Sequence, residues 1–209
     1  MSILNKLASS LGRSDEVPNQ LLAQEIAASG DRAAVRELVE HLADPDKAIR
    51  HDCIKVLYEI GYTTPDLIAD YAADFLALLR SRDNRMVWGG MTALGVIADR
   101  QAAALWDQID LILTTTEKGS VITQDWGVRV LATLSAHDPL YEARIFPFLL
   151  SFLRKCPPKD LPRHAESCLT AVNRDNRAAV QSLIEARAGV LKPAQAKRLK
   201  AILRRIESL

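Results

Sequence analysis

Apolar residues recur at helical spacing along most of the chain, and one five-residue set repeats every 37 or 38 residues. Residues three, four and seven positions apart share one face of an α-helix, so each set predicts the buried stripe of one helix. The four sets are Ile49, Cys53, Val56, Leu57 and Ile60; Met86, Gly90, Ala93, Leu94 and Ile97; Thr123, Gly127, Val130, Leu131 and Leu134; and Leu161, Ala165, Cys168, Leu169 and Val172. The pattern predicts four related helices that pack in the same way.

A second, largely apolar set precedes each of these helices with the same offset, and a polar turn separates the two. The first-helix sets are Val35, Leu38, Val39 and Leu42; Ala72, Phe75, Leu76 and Leu79; Ile109, Ile112, Leu113 and Thr116; and Phe146, Leu149, Leu150 and Leu153. A single helix pair cannot bury its apolar face, so neighbouring pairs must stack. The sequence predicts an all-α fold, a right-handed α-α superhelix (solenoid) of about five helical hairpins.

The repeat pattern also predicts the organisation of the chain. One repeat domain over residues 1–209 is expected, with a degenerate N-terminal cap at 1–29 that carries a helix near Pro18–Ala28. Four repeats follow at 31–62, 65–99, 104–136 and 141–173, and a capping hairpin at 177–209 closes the array. Gly90 and Gly127 occupy corresponding positions, and a mid-helix glycine is unfavourable by about 1 kcal/mol relative to alanine. We therefore expect the two helices of a pair to cross closely at these glycines.

The segment LADPDKAIRHDCIKVLYEIG and its repeat LRSRDNRMVWGGMTALGVIA resemble HEAT repeats. Both segments have an Asp-containing turn. In the first segment an aliphatic residue is followed directly by arginine, at Ile49-Arg50, and a small residue and a leucine come later in the second helix. The resemblance covers roughly residues 31 to 208 and specifies fold more than function. It implies that the second helices of the pairs line a concave face that serves as the binding surface.

Positions opposite the buried stripe of each second helix form three ladders: His51, Trp88, Asp125 and Arg163; Lys55, Thr92, Arg129 and Ser167; and Tyr58, Gly95, Ala132 and Thr170. A tryptophan placed there exposes a large apolar ring unless a partner covers it. Trp88 beside Asp125 and Arg129 would have the composition of an interaction hot spot. Alternatively, Trp88 packs across small residues and Asp125 forms an i,i+4 pair with Arg129. The predicted partner-binding residues are Trp88, Asp125, Arg129, His51, Lys55, Tyr58 and Arg163.

The charges balance overall, at 27 basic and 26 acidic residues, but they are distributed unevenly. Residues 1–140 carry 13 basic and 20 acidic side chains, and residues 141–209 carry 14 and 6. The 3 cysteines have no CxxC spacing, which argues against disulfides and zinc fingers, and Cys156 before two prolines is expected in an exposed loop. No signal peptide or membrane span is apparent. These features predict a cytoplasmic protein.

The chain shows no catalytic or metal-binding motif, so no cofactor and no metal site are expected. The function predicted from the sequence is a non-catalytic scaffold that binds a protein or peptide partner along the second helices. The alternative is nucleic-acid binding, because alkylpurine DNA glycosylases built from HEAT-like repeats use concave tryptophans, an aspartate and an arginine. The acidic N-terminal two-thirds argues against it, since phosphate neutralisation dominates DNA affinity.

Overall fold

A computed structural model describes residues 2–189 and 192–208, and every regular element in these two ranges is helical. The chain divides into two compact units, residues 1–111 and residues 112–209, which are described separately. The α-helices are α1 (Val17–Ser29), α2 (Arg32–Glu40), α3 (Lys47–Thr63), α4 (Ala72–Leu78), α5 (Asn84–Ile97), α6 (Ala102–Trp106), α7 (Ile109–Lys118), α8 (Val121–Ser135), α9 (Pro139–Lys155), α10 (Leu161–Ser167), α11 (Arg177–Ala188) and α12 (Pro193–Glu207). The predicted all-α fold is confirmed.

Polar side chains begin several of these helices at the turns that the sequence marks. Asp31 accepts hydrogen bonds from the backbone N–H groups of Ala33 and Ala34, both at 3.0 Å, and Gly30 before it adopts a left-handed φ of 67° that ends α1. Asp83 and Ser120 make the equivalent contacts at the starts of α5 and α8. These caps satisfy backbone donors that have no partner inside the helix, so the turns fix where each helix begins.

The 37-residue apolar pattern is confirmed as the packing pattern of the second helices. We call α10, the 3-10 turn Cys168–Ala171 after it and Val172 the α10 segment. All of the stripe positions on α3, α5, α8 and the α10 segment are buried except Ile49 and Leu169, which are half-buried. In the first unit, α3 packs against both α1 and α5, and α4 packs on α5. In the second unit, α8 packs against α9 and α10, and α12 packs against α10 and α11.

Close helix crossing at the two glycines is also confirmed. A Cβ added at Gly90 would lie 2.9 Å from both the Leu78 Cβ and the Phe75 carbonyl oxygen, on α4. A Cβ at Gly127 would lie 2.8 Å from the Thr116 Cβ and closer still to its Oγ1, on α7. Only glycine permits these separations, so each glycine sets how deeply the first helix of its pair sits on the second.

The chain before α2 contains the predicted helix, α1, and a preceding segment that the sequence pattern does not predict. This segment, Ser9–Glu16, lies over α3 and is held by a buried polar network. Asp52 on α3 accepts from the Ser9 backbone N–H at 2.8 Å and from Asn19 Nδ2 at 2.7 Å, while Asn19 Oδ1 accepts from the Ala8 N–H at 3.0 Å. Both carboxylate oxygens of Asp52 and both polar atoms of the Asn19 amide have a partner in this network, which fixes the segment on α3.

The C-terminal pair is α11 and α12, as the pattern predicts; Val190 and Leu191 between them lie outside the described residues. Leu199, Ile202 and Ile206 are buried, and the basic residues of α12 are exposed. The three cysteines are free thiols. The exposed position expected for Cys156 is wrong: it is buried at the end of α9, where the guanidinium group of Arg187 donates to its carbonyl oxygen at 2.8 Å.

Candidate partner-binding surface

Three predicted binding residues of the first unit come together with one further aromatic residue. The rings of Tyr58 and Trp88 lie 6.0 Å apart and are tilted by 51°, and the Tyr62 ring lies 5.8 Å from that of Tyr58. The Lys55 ammonium group lies 5.1 Å from the centre of the Tyr58 ring. We call Tyr58, Tyr62 and Trp88 the aromatic cluster. The repeat pattern brings α3 and α5 side by side, and the cluster forms where their ladder positions meet.

The members of the aromatic cluster differ in exposure. Tyr62 is 48% exposed, Trp88 is half-buried, and Tyr58 is only 5% exposed. Trp88 is therefore neither fully exposed nor fully packed: one side contacts Tyr58, and the Arg85 guanidinium lies 5.6 Å from its ring centre. The Arg85 guanidinium and the Trp88 ring therefore form a cation–π pair.

Lys55 is buried, whereas its ladder position predicts an outward side chain. Its ammonium group binds carboxylate oxygens of Glu16 at 2.7 Å and Glu59 at 2.6 Å, and Glu16 also pairs with Arg85 at 3.2 Å. Burial alone would lower the pKa of Lys55, but the hydrogen bonds to the two carboxylates outweigh it and raise that pKa. The Ser9–Glu16 segment thus covers this part of α3, and it has no apolar periodicity that would reveal its position.

His51 connects two second helices rather than facing outward alone. Its Nε2 lies 2.8 Å from Asp83 Oδ2, and the other carboxylate oxygen of Asp83 accepts the Arg85 N–H at the start of α5. Burial opposes ionisation of Asp83, yet the hydrogen bond with His51 and the Arg85 N–H leave its pKa lowered. The contact orients α3 against α5 and so holds the aromatic cluster in place.

In the second unit the ladder positions Asp125 and Arg163 meet across α8 and α10. Arg163 Nε lies 2.8 Å from Asp125 Oδ1, and Arg163 also donates to Asp160 at 3.0 Å. Arg129 lies over the ring of Trp126 at 5.0 Å. The alternative interpretation, an i,i+4 pair between Asp125 and Arg129, does not hold in the described residues: Asp125 pairs with Arg163 on the neighbouring helix, and Arg129 lies on Trp126.

His164 follows Arg163 on α10 and is buried, with 1% of its surface exposed. Its Nδ1 lies 3.4 Å from Asp125 Oδ1, and the edge of its ring meets Phe152 at 5.1 Å. Burial, with a smaller contribution from the Arg163 charge, lowers the pKa of His164 to about 4. Burial also raises the pKa of Asp125, against the attraction of Arg163. The buried His164 imidazole is therefore neutral at neutral pH.

The buried imidazole predicts a loss of stability in mild acid. The unfolded chain protonates His164 near pH 6.5, whereas the folded chain does so only near pH 4, so stability present above pH 6.5 is lost as the pH falls. Between pH 7 and pH 5 the His164 contribution to the free energy of unfolding should fall by about 2 kcal/mol. Urea titrations of the native protein and of His164→Gln, each at pH 7 and pH 5, measure this fall in the free energy of unfolding. An equal pH dependence in the two proteins would refute the assignment.

No group of three or more His, Cys, Asp or Glu side chains placed to hold a metal ion occurs in residues 2–189 and 192–208. Within the same described residues, no helix is long and apolar enough to cross a bilayer. Burial raises the pKa values of the Cys53 and Cys168 thiols to about 12, so both stay protonated at neutral pH.

Comparisons with known proteins identify the fold. No family model matches the chain, and no curated protein matches it. A designed armadillo repeat protein in complex with the peptide (KR)4 has a TM-score of 0.68 at 13% identity, over 90% of this chain and 86% of that one. The chain has a HEAT/armadillo-like repeat fold.

Two further structures share the HEAT/armadillo-like fold. An engineered protein has a TM-score of 0.65 at 18% identity over 100% of this chain and 98% of that chain. A mutant of the karyopherin Kap121p has a TM-score of 0.70 at 13% identity, over 98% of this chain but only 23% of its own length. The fold class predicted from the repeat pattern is confirmed. In this HEAT/armadillo-like fold, α3, α5, α8 and the α10 segment are the second helices of the pairs.

Proposed function

We propose that this chain is a non-catalytic repeat scaffold that binds a protein or peptide partner along the surface of its second helices. The observation that carries the proposal is the half-buried Trp88, whose ring centre lies 6.0 Å from that of Tyr58 and 5.6 Å from the Arg85 guanidinium, with Tyr62 exposed nearby. Tryptophan, tyrosine and arginine dominate the binding energy of protein interfaces when they are fixed in place and then covered by a partner. The proposed residues are Trp88, Asp125, Arg129, His51, Lys55, Tyr58 and Arg163.

The proposed residues have two different roles. Trp88 and Arg129 reach the surface and would contact a partner directly, and we add Tyr62 and Arg85 to the proposed contact residues because they lie beside Trp88 and Tyr58. The remaining residues are paired within the chain: His51 with Asp83, Lys55 with Glu16 and Glu59, Asp125 with Arg163, and Tyr58 with the ring of Trp88. Contacts that pre-order the exposed groups reduce the entropy lost on binding.

The structural neighbours support a protein or peptide as the partner. One designed neighbour binds the basic peptide (KR)4, and residues 1–111 of this chain carry 17 acidic against 11 basic side chains. A basic segment therefore suits the charge of the first unit. We also propose that the protein is cytoplasmic. Its three cysteines are free thiols, and the cytoplasm keeps thiols reduced.

Replacing Trp88 with alanine should weaken capture of the partner at least tenfold, because an ordered aromatic side chain at an interface typically contributes 2 kcal/mol or more. The measurement is affinity capture from an extract of the source cells, with quantitative identification of retained proteins. The matched control is Trp106→Ala, which removes a half-buried tryptophan from α6, outside the second helices. Circular dichroism confirms that both variants stay folded.

The proposal predicts that a protein retained by the native chain and by Trp106→Ala is lost with Trp88→Ala. Identical sets of proteins retained by all three chains would refute it. A benzophenone amino acid at Tyr62 adds a direct readout, since it should crosslink that same protein. The same amino acid at the exposed Ala77 of α4 should not.

The alternative function, an alkylpurine DNA glycosylase-like activity, gains no support from the second unit. Base excision would need a carboxylate that can reach the nucleotide, whereas Asp125 is half-buried and bound to Arg163 at 2.8 Å. Titration with duplex oligonucleotide at two salt concentrations tests it, because phosphate contacts give a steep salt dependence.

A further inference from the structure

A polar cleft in the second unit lies at the turn between α8 and α9. Its lining consists of the turn residues 135–139, Glu142 on α9, and Thr170, Ala171 and Asn173. The cleft encloses about 320 Å³. This volume falls in the range of ligand sites in proteins, roughly 300–1,000 Å³. The cleft is therefore large enough to receive a long polar side chain.

Two carboxylates, Asp138 and Glu142, line the cleft, and no lysine or arginine belongs to its lining in the described part of the chain. Glu142 accepts hydrogen bonds from the neutral side-chain amides of Asn173, at 3.1 Å, and Asn176, at 2.9 Å. Asp138 accepts the Leu140 N–H at 2.7 Å at the start of α9. A carboxylate has about four acceptor positions, so both groups keep capacity to bind a cation.

The end of α8 adds to the negative potential of the cleft. This helix, Val121–Ser135, ends at a residue of the lining. The carbonyl groups at a helix C-terminus carry a partial negative charge, which favours a nearby cation. The second unit as a whole has 16 basic and 9 acidic residues, so the acidic lining is a local exception that complements a positively charged group.

Ser135 independently points to a ligand. The residue is buried, with 3% of its surface exposed, and its hydroxyl oxygen has no hydrogen-bond partner within residues 2–189 and 192–208. Buried hydroxyl groups in proteins nearly always have a partner, because leaving one unpaired is unfavourable. A ligand that brings N–H donors into the cleft would provide one.

We propose that this cleft binds the guanidinium group of an arginine side chain in a peptide segment of a partner. A guanidinium group has five N–H donors in one plane. The acceptors of the cleft lie on separate elements, since Ser135 ends α8, Glu142 is on α9 and Thr170 is in the turn after α10. A planar group can reach several of them at once, whereas the three donors of an ammonium group surround a single nitrogen atom.

The lining also favours an arginine within a peptide over the free amino acid. Free arginine carries an α-carboxylate, which Asp138 and Glu142 would repel and which no lysine or arginine of the described lining could bind. In a peptide, an amide replaces this carboxylate. The site shares no residue with the aromatic cluster, so binding here is independent of Trp88.

NMR titration of the isotope-labelled full chain tests the proposal at pH 8, where imidazole is ordinarily neutral. The probe is Nα-acetylarginine amide, which reproduces an arginine within a peptide. Its matched control is the citrulline derivative, which has nearly the same shape but a neutral urea group. The lysine derivative and free arginine are compared with the probe. Glu142→Gln removes a charge from the cleft, and Glu185→Gln makes the same change on α11, at an exposed position outside the lining.

We expect the arginine probe to shift the backbone amide signals of residues 135–142 and 170–173 in a saturable way. The citrulline probe should bind at least tenfold more weakly, because charge-assisted hydrogen bonds are lost. The lysine derivative and free arginine should each bind at least threefold more weakly. Glu142→Gln should weaken binding of the arginine probe at least tenfold, and Glu185→Gln less than twofold.

Ser135→Ala separates binding from folding. It removes a hydroxyl group that has no partner in the described residues, so thermal stability should not fall, whereas binding of the arginine probe should weaken at least threefold. Equal binding of the arginine and citrulline probes would overturn the proposal, as would equal effects of the two glutamate variants or no saturable shift at millimolar probe. Equal binding of the lysine derivative would overturn the preference for guanidinium, and tighter binding of free arginine would overturn the assignment to a peptide. None of these results depends on the Trp88 experiment.

Discussion

Replacing Asp52 with alanine should lower the free energy of unfolding by about 3 kcal/mol, because two donors that face its carboxylate would remain buried without an acceptor. These donors are the Ser9 N–H at 2.8 Å and Asn19 Nδ2 at 2.7 Å. The Ser9–Glu16 segment should also detach from α3. Urea titration measures the first effect, and faster tryptic cleavage after Arg13 measures the second.

The control for Asp52→Ala is Asp74→Ala, which removes an exposed carboxylate from α4 in the same unit. An exposed substitution of this kind usually changes stability by less than about 0.5 kcal/mol. If both variants unfolded at the same urea concentration and Arg13 stayed protected, the buried network would not be what holds the segment.

Replacing Gly127 with alanine should lower the free energy of unfolding by about 2 to 3 kcal/mol, although alanine is the better helix former. The added methyl group would lie 2.8 Å from two carbon atoms of Thr116 and closer to its Oγ1. Thr116 is fully buried, and its hydroxyl group donates to the Ile112 carbonyl at 2.7 Å, so the side chain has little room to move. Either α7 shifts or the Thr116 hydrogen bond breaks. Thermal and urea unfolding measure the loss.

Gly189→Ala provides the matched control for Gly127→Ala. Its added methyl group would meet no atom within 4 Å, so stability should stay the same or rise slightly. A Gly127→Ala protein as stable as Gly189→Ala would show that α7 and α8 can separate without cost, contrary to the close crossing.

The repeat pattern predicts the second helices well because the same spacing of apolar residues occurs in all four helices. Apolar positions at helical spacing bury the same face in each pair, and Gly90 and Gly127 mark the same close crossing. The first helices are less regular. Where the pattern gives one first helix for the third repeat, the structure has the short α6 and then α7.

The candidate surface is harder to predict, because contacts distant in sequence decide which ladder residues are accessible. Lys55 and Tyr58 lie opposite their own buried stripe, yet Glu16, 39 positions before Lys55, covers that side of α3. Asp125 likewise pairs with Arg163 on another helix, and the i,i+4 spacing to Arg129 does not reveal this. Helical periodicity predicts which face turns away from the stripe, but not what else in the chain covers that face.

The Ser9–Glu16 segment also limits how the chain can be shortened. A fragment that begins at Val17, the first residue of α1, would keep every helix from α1 onward but lose the acceptor that Glu16 gives Lys55 and the N–H that Ser9 gives Asp52. Lys55 would keep only Glu59, and Asp52 only Asn19. A trimmed chain chosen by helix boundaries would therefore expose charged groups that normally lie in the interior, and we expect it to aggregate where the full chain does not.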